Sequence, residues 1–225
     1  MSAVAERLRS VRRQVADAAD IAGRDPARVT IVAVAKTVGV VEVRNAVVAG
    51  CRDFGENRVQ EFLAKRALFP DERWHFIGSL QTNKVKDVAG RATLIHSIDS
   101  LRLLEHVDRH AAEAGAVQQV LLQVNVSGEP TKHGLAPDEV EDVLLASGDL
   151  DNVLVKGLMT MAPLGRPEEA RWVFRRLADL FAGFRDMRFN GVDLTELSMG
   201  MTNDFRVAVE EGATIVRIGR AIFGR

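Results

Sequence analysis

Tyrosine is absent from this 225-residue chain, cysteine occurs once, at Cys51, and aromatic residues make up only 5% of it. Without tyrosine, no phenol can serve any reaction as acid or base. One cysteine cannot close an intramolecular disulfide, and no CxxC or clustered His/Cys spacing occurs, which excludes a disulfide framework and a structural zinc site. A large net charge is also missing: 30 Lys plus Arg oppose 31 Asp plus Glu, so no general field attracts phosphodiester backbones or anionic lipid. Neither nucleic acid nor a membrane is expected as a partner. The longest charge-free stretch, Ala114 to Gly128, carries Gln118, Gln119, Gln123, Asn125 and Ser127. It falls short of the roughly 20 apolar residues that a bilayer span requires. The opening MSAVAERLRSVRRQV is charged where an export signal would be apolar. A soluble chain of the reducing cytoplasm is expected.

What is present is a regular alternation. Val4, Leu8, Val11, Val15 and Ile21 mark one helical face, with Ser2 as N-cap and Gly23 as a stop before Pro26, so residues 1–23 form an opening helix. Apolar runs bounded by Gly, Ser, Asn or Asp then predict strands at 29–35, 51–54, 73–77, 93–97, 117–126, 153–158, 194–198 and 213–218. Helices are expected between them near 40–49, 56–68, 80–89, 100–114, 137–147, 167–183 and 203–211. Strands that are apolar on both faces and alternate with helices pair in parallel through right-handed crossovers. Eight such units within this length favour one α/β domain over residues 1–225, a closed (β/α)₈ TIM-type barrel; an open doubly wound sheet is the alternative. The eighth helix, GRAIFGR, is truncated, and the opening helix is expected to pack over the wall it leaves bare.

Lys36 ends the first strand, VTIVAVAK, and in a barrel the C-terminal strand ends form the active face. An ordinary lysine is unprotonated in only about one molecule in 2,500 at neutral pH, whereas desolvation at a strand end would expose a nucleophilic amine suited to an aldehyde. A lysine that snorkels along the rim is the bland alternative. At the other end of the chain, SMGMTND and IGRAIFG follow strands seven and eight. There Ser198 and Thr202 offer hydroxyls, and Gly200 and Gly219 would let backbone N–H groups approach an anion at a helix N-terminus. Barrels commonly hold phosphate between these two loops, although capping by Thr202 or Asn203 would account for the first alone. An amine for an aldehyde and a cradle for a phosphate across one mouth suggest pyridoxal 5′-phosphate, while phosphorylated sugars and keto acids on Schiff-base lysines stay open.

The segments AVAKT, FGENRVQEF, WHFIGSLQTNK, QVNVSGEPTKHGL, KGLMTMAP, LSMGMTNDF and VRIGRAIFG resemble the pyridoxal phosphate homeostasis protein family, also called YggS-like or proline synthetase co-transcribed proteins. The resemblance runs from about Val29 to Gly224. It implies a single barrel like the N-terminal domain of alanine racemase, binding pyridoxal 5′-phosphate as a Schiff base on Lys36. It further implies phosphate contacts from Ser198, Thr202 and the Gly219–Arg220 backbone, Arg217 opposite the pyridine nitrogen, and Asn57 near the cofactor. Thr202 stands where many relatives carry serine, which preserves the hydroxyl. A guanidinium cannot take a proton from the ring, so the pyridine would stay neutral and be a weak electron sink. Racemases of this fold also use a second acid/base, commonly tyrosine from a further domain; this chain has neither. The resemblance therefore implies a carrier that buffers or delivers the cofactor without turnover, with apoenzymes as recipients and a monomeric state. A weak racemase or lyase using Lys36 is the alternative.

Several residues have a second reading. Asn57 and Glu56 could cap the helix after Gly55, and Met159 with Met161 could fill the barrel or wall the cofactor pocket. His75, beside Trp74 and Phe76, reads as a structural histidine, and Cys51 as a small buried hydrophobe. Arg171, Arg175 and Arg176 read as the solvated face of a helix whose other face carries Trp172, Leu177, Leu180 and Phe181. Lys132 follows strand five on the face of Lys36 and could receive the aldehyde by exchange, or be an ordinary surface lysine.

Overall fold

In the computed structural model of the chain, which describes residues 2–129 and 132–224, eight short strands close into one parallel barrel in sequence order. They are β1 (Thr30–Val34), β2 (Asp53–Glu56), β3 (Arg73–Phe76), β4 (Leu94–Ile98), β5 (Gln118–Gln123), β6 (Val153–Met159), β7 (Val192–Ser198) and β8 (Ile215–Ile218). Closure is explicit in the register, because β1 pairs with β8 through Thr30 with Ile215 and Val32 with Arg217. An open sheet is thereby excluded. Every expected strand is present.

The helices are α1 (Ala3–Ile21), α2 (Val40–Val48), α3 (Val59–Leu68), α4 (Leu101–Glu113), α5 (Val140–Ala146), α6 (Arg171–Arg185), α7 (Phe205–Glu210) and α8 (Arg220–Phe223). Four expectations need correction. The helix placed at 80–89 is a 3₁₀ segment, Thr82–Asp87, and α3 starts three residues late because Glu56 belongs to β2. Ile21 is exposed, as six residues beyond Val15 is one and two-thirds turns; Ala18 and Ala19 continue the buried stripe instead. Trp172 is exposed as well, one step off the stripe formed by Val173, Phe174, Leu177 and Phe184.

The opening helix does cover the wall beside the short α8. Leu8 and Val11 are each 1% exposed, and Ser2 Oγ accepts from the Ala5 N–H at 3.3 Å. Arg24, just past the helix, donates to the carbonyls of Val209 at 2.5 Å and Ala213 at 2.9 Å, tying this end to α7. Inside the barrel a separate apolar plug of Val32, Leu94, Leu121, Met159 and Ile215 fills one level. The interior also holds buried polar side chains, His75, His96, Ser198 and Arg217. No helix among the described residues is long and apolar enough to cross a membrane, and no group of His, Cys, Asp or Glu among them could hold a metal ion.

Candidate functional site

The loops after the strands surround a cavity of about 560 Å³, lined by Lys36, Asn57, Thr202, Arg217, Gly219 and Arg220 among others. That volume lies within the range of small-molecule sites. Lys36 enters from β1, whose end is anchored underneath by Lys65 of α3. The buried Lys65 Nζ donates to the Ala35 carbonyl at 2.7 Å and pairs with Glu56 at 2.6 Å and Glu61 at 3.1 Å. Burial outweighs the nearby ammonium for Glu56, whose carboxyl is pushed above its ordinary range. Beyond Lys36 the chain turns at Thr37 with φ 60°, a conformation unfavourable for a β-branched residue. Lys36 itself is exposed at the mouth, where the sequence reading expected a desolvated rim.

The two phosphate-loop candidates divide. Thr202, Gly219 and Arg220 line the cavity, and Arg220 Nη2 donates to Asn203 Oδ1 at 3.1 Å across the two loops. Ser198 does not line it. Its hydroxyl is fully buried, accepts from Arg217 Nη1 at 2.6 Å and lies 2.9 Å from His96 Nδ1. Gly200 likewise serves the backbone: its φ is +90°, and a Cβ would lie 2.5 Å from Ala208 Cβ, so the glycine lets the loop pack on α7. Both support the loop from behind the cavity wall. Because α7 and α8 have only six and four residues, helix dipoles supply little here. Hydroxyl, loop amides and side-chain cations remain.

Met159 belongs to the apolar plug, while Met161 lines the cavity. Asn57 does line the cavity, and its capping role is not realised, since Arg58 is the N-cap of α3 and no side chain caps it. The carbonyl of Asn57 would meet a Cβ at Gly78 at 2.3 Å, so the β2 and β3 loops can touch at the mouth only with glycine there. Lys132 is held beside the mouth by Glu129 at 3.3 Å and the Met161 carbonyl at 3.3 Å. Pro130 and Thr131 of the same segment lie outside the described residues. Cys51 is buried with its thiol pushed up to about 12 by that burial, which leaves it inert.

Sequence reasoning missed Asp204 and Arg166. Arg166 lines the cavity from the β6–α6 loop. Asp204 is buried at the cavity wall, accepts from the Met201 N–H at 2.6 Å, and has its carboxyl raised by burial despite Arg217 nearby. Its place in SMGMTND was the available signal. Arg217 is buried, with Nη2 donating to the Thr160 carbonyl at 2.9 Å. Burial pushes its pKa down to about 10, which still leaves a cation at neutral pH. Lys36, Arg166, Arg217 and Arg220 against Asp204 leave the mouth with an excess of positive charge suited to an anionic ligand.

Comparison with known proteins agrees with this fold. Residues 7–225 match the alanine racemase N-terminal domain. The pyridoxal phosphate homeostasis protein of Aquifex aeolicus is 45% identical over 97% of this chain and 96% of its own. That of Pseudomonas aeruginosa is 40% identical over 100% of this chain and 96% of its own. The solved structure of PipY from Synechococcus elongatus with PLP bound is 37% identical and superposes with a TM-score of 0.85, covering 98% of this chain and 100% of PipY.

Proposed function

The chain belongs to the pyridoxal phosphate homeostasis protein family, and from that premise we propose that it binds pyridoxal 5′-phosphate in the mouth cavity and carries it without turning over a substrate. One observation carries the reading: an amine from the first strand and the cationic, hydroxyl-bearing loops after the last two strands open into one cavity. PipY, solved with PLP bound, supports the same choice of ligand.

The residues present fit the group. Lys36 holds the amine that would condense with the aldehyde, forming a carbon–nitrogen double bond with loss of water. Thr202 and the backbone of Gly219 and Arg220 would hold the phosphate, and Asn57 would close one side. Arg217 would face the ring nitrogen as a donor that cannot accept a proton. Pyridoxal phosphate supplies an electron sink to enzymes that protonate that nitrogen, and the arginine withholds this. The names of the relatives, which describe homeostasis and no reaction, favour a carrier in the same sense. Residence in the cytoplasm, a monomeric state and release to apoenzymes complete the proposal.

Borohydride reduction of the loaded protein followed by intact mass and peptide mapping tests it. The expected result is one added pyridoxyl phosphate on Lys36, abolished in Lys36→Ala. Labelling that persists in Lys36→Ala, or spreads over surface lysines, refutes the assignment. Following α-proton exchange of L- and D-amino acids in deuterated water tests the carrier reading, which Lys36-dependent exchange would overturn in favour of a racemase or lyase.

A further inference from the structure

Behind Arg217, four polar side chains that do not line the mouth cavity join it to the opposite end of the barrel. Arg217 Nη1 donates to Ser198 Oγ at 2.6 Å, and Ser198 Oγ lies 2.9 Å from His96 Nδ1. His96 Nε2 is 3.0 Å from His75 Nδ1, and His75 Nε2 is 3.1 Å from Asp53 Oδ1. Asp53 is gripped by Arg73 through two bonds of 2.6 Å. Asp53 and Arg73 line a second cavity of about 310 Å³, with Pro26, Val29, Thr30 and Ile31 at the start of β1. The line thus crosses the barrel. Ser198 and His96 are 0% exposed, and His75 and Arg217 are each 4% exposed.

Counting protons gives the line a direction. A guanidinium has only donors, so Ser198 accepts from Arg217, and within the line its own proton can go only to His96 Nδ1. That acceptance requires a neutral His96, in keeping with burial, then the neighbouring His75 and Arg217, which hold its imidazole well below 6.5. The His96 proton therefore sits on Nε2 and is donated to His75 Nδ1. His75 in turn carries its proton on Nε2, facing the Asp53 carboxylate. Every bond points from the cation toward the carboxylate, an arrangement in which successive bonds polarise one another. Reversing either ring would leave the Ser198 proton without an acceptor in a fully buried place, which is costly.

We propose that His96 and His75 are positioning residues of the ligand site, holding Arg217 in a single orientation through Ser198 and linking that orientation to Asp53 at the far end of the barrel. Together with the Thr160 carbonyl, the Ser198 bond fixes the plane of the guanidinium and leaves its remaining N–H groups for the cavity. The charged and titratable groups along the line are Asp53 from β2, Arg73 and His75 from β3, His96 from β4 and Arg217 from β8, with Asp204 across the cavity. The inference rests on the reading that pyridoxal phosphate occupies the cavity with its ring nitrogen toward Arg217.

Side-chain ¹⁵N NMR of the ligand-free protein at about pH 7.5 reads the line directly. Both histidines should be neutral with the proton on Nε2, and in Ser198→Ala the His96 Nδ1 signal should move toward that of a free pyridine-type nitrogen. An imidazolium, or a proton on Nδ1 of either ring, overturns the assignment whether or not any ligand binds. Absorbance titration with pyridoxal phosphate supplies the second readout. Loss of a bond to a charged donor in Ser198→Ala should weaken binding about tenfold. Asp53→Asn, which touches nothing in the mouth cavity, should shift the pH midpoint of the bound chromophore. Wild-type affinity and pH dependence in both variants would overturn the positioning role. Failure of the unaltered protein to bind would instead refute the proposed function, and the NMR result would still decide the direction of the line.

Discussion

Replacing Lys65 by methionine is the most exacting test of how the active end of β1 is held. Lys65 Nζ pairs with Glu56 at 2.6 Å, and the side chains are 5% and 0% exposed. It also donates to the Ala35 carbonyl at 2.7 Å, one residue before Lys36. Methionine matches the stem but leaves Glu56 as an unpaired buried carboxylate, at a cost of about 3–5 kcal/mol. Against a total stability of about 5–15 kcal/mol this is a large share, and for a chain of this size it corresponds to a fall in Tm of about 6–20 °C. The sign of the pH dependence follows from Glu56. Its folded carboxyl already lies above the ordinary value, and losing the ammonium raises it further. An acid raised in the folded state is least costly when protonated, so the stability of Lys65→Met should fall as pH rises through the folded value, by at most about 1.4 kcal/mol per pH unit. Denaturant unfolding followed by circular dichroism between about pH 5 and 8 measures both quantities. Adding Glu56→Met should recover much of the loss, since a buried pair replaced by apolar residues is often neutral. A loss below about 1 kcal/mol, or one that the second substitution deepens, would refute the reasoning.

Other consequences are equally open to measurement. Gly200→Ala forces a Cβ to within 2.5 Å of Ala208 Cβ at φ +90° and should cost about 2–3 kcal/mol in denaturant unfolding; an unchanged midpoint would contradict the tight loop packing. His96 is held well below 6.5 in the folded protein, so the unfolded chain gains a proton there first and stability is lost as pH falls below 6.5. The stability difference between wild type and His96→Asn should shrink by about 1.4 kcal/mol from pH 7.5 to 5.5; a flat difference would mean that His96 titrates normally. Leu8→Ala opens a cavity under α1, where Leu8 is 1% exposed, and should cost about 2–5 kcal/mol in the same assay. A cost below about 1 kcal/mol would show that α1 is not part of the cooperative barrel wall.

Much of this site was legible in the chain. Lys36, Thr202, Arg217, Gly219 and Arg220 line the cavity because strand ends and the loops after them converge on one face of any parallel barrel, and strand order alone places them there. Met159, Ser198 and Gly200 lie outside the cavity lining for one shared reason. A motif says which residues are near a ligand but not which side of the rim each side chain occupies. That depends on strand stagger and on where the backbone turns, as at Gly200. Trp172 and Ile21 failed similarly, by about one step of helical rotation.

By itself the sequence determined the eight-strand alternation, the opening helix, the parallel class and the place of Lys36 at a strand end, because periodicity and turn residues are local and strand order follows from them. Only the tertiary structure decided that Lys36 is exposed at the mouth, and that Asp204 and Arg166 share its cavity. It alone joined Asp53, His75, His96, Ser198 and Arg217, residues from five strands, into one directed line. Hydrogen bonds depend on fractions of an ångström between side chains far apart in sequence, and only closure of the barrel sets those distances.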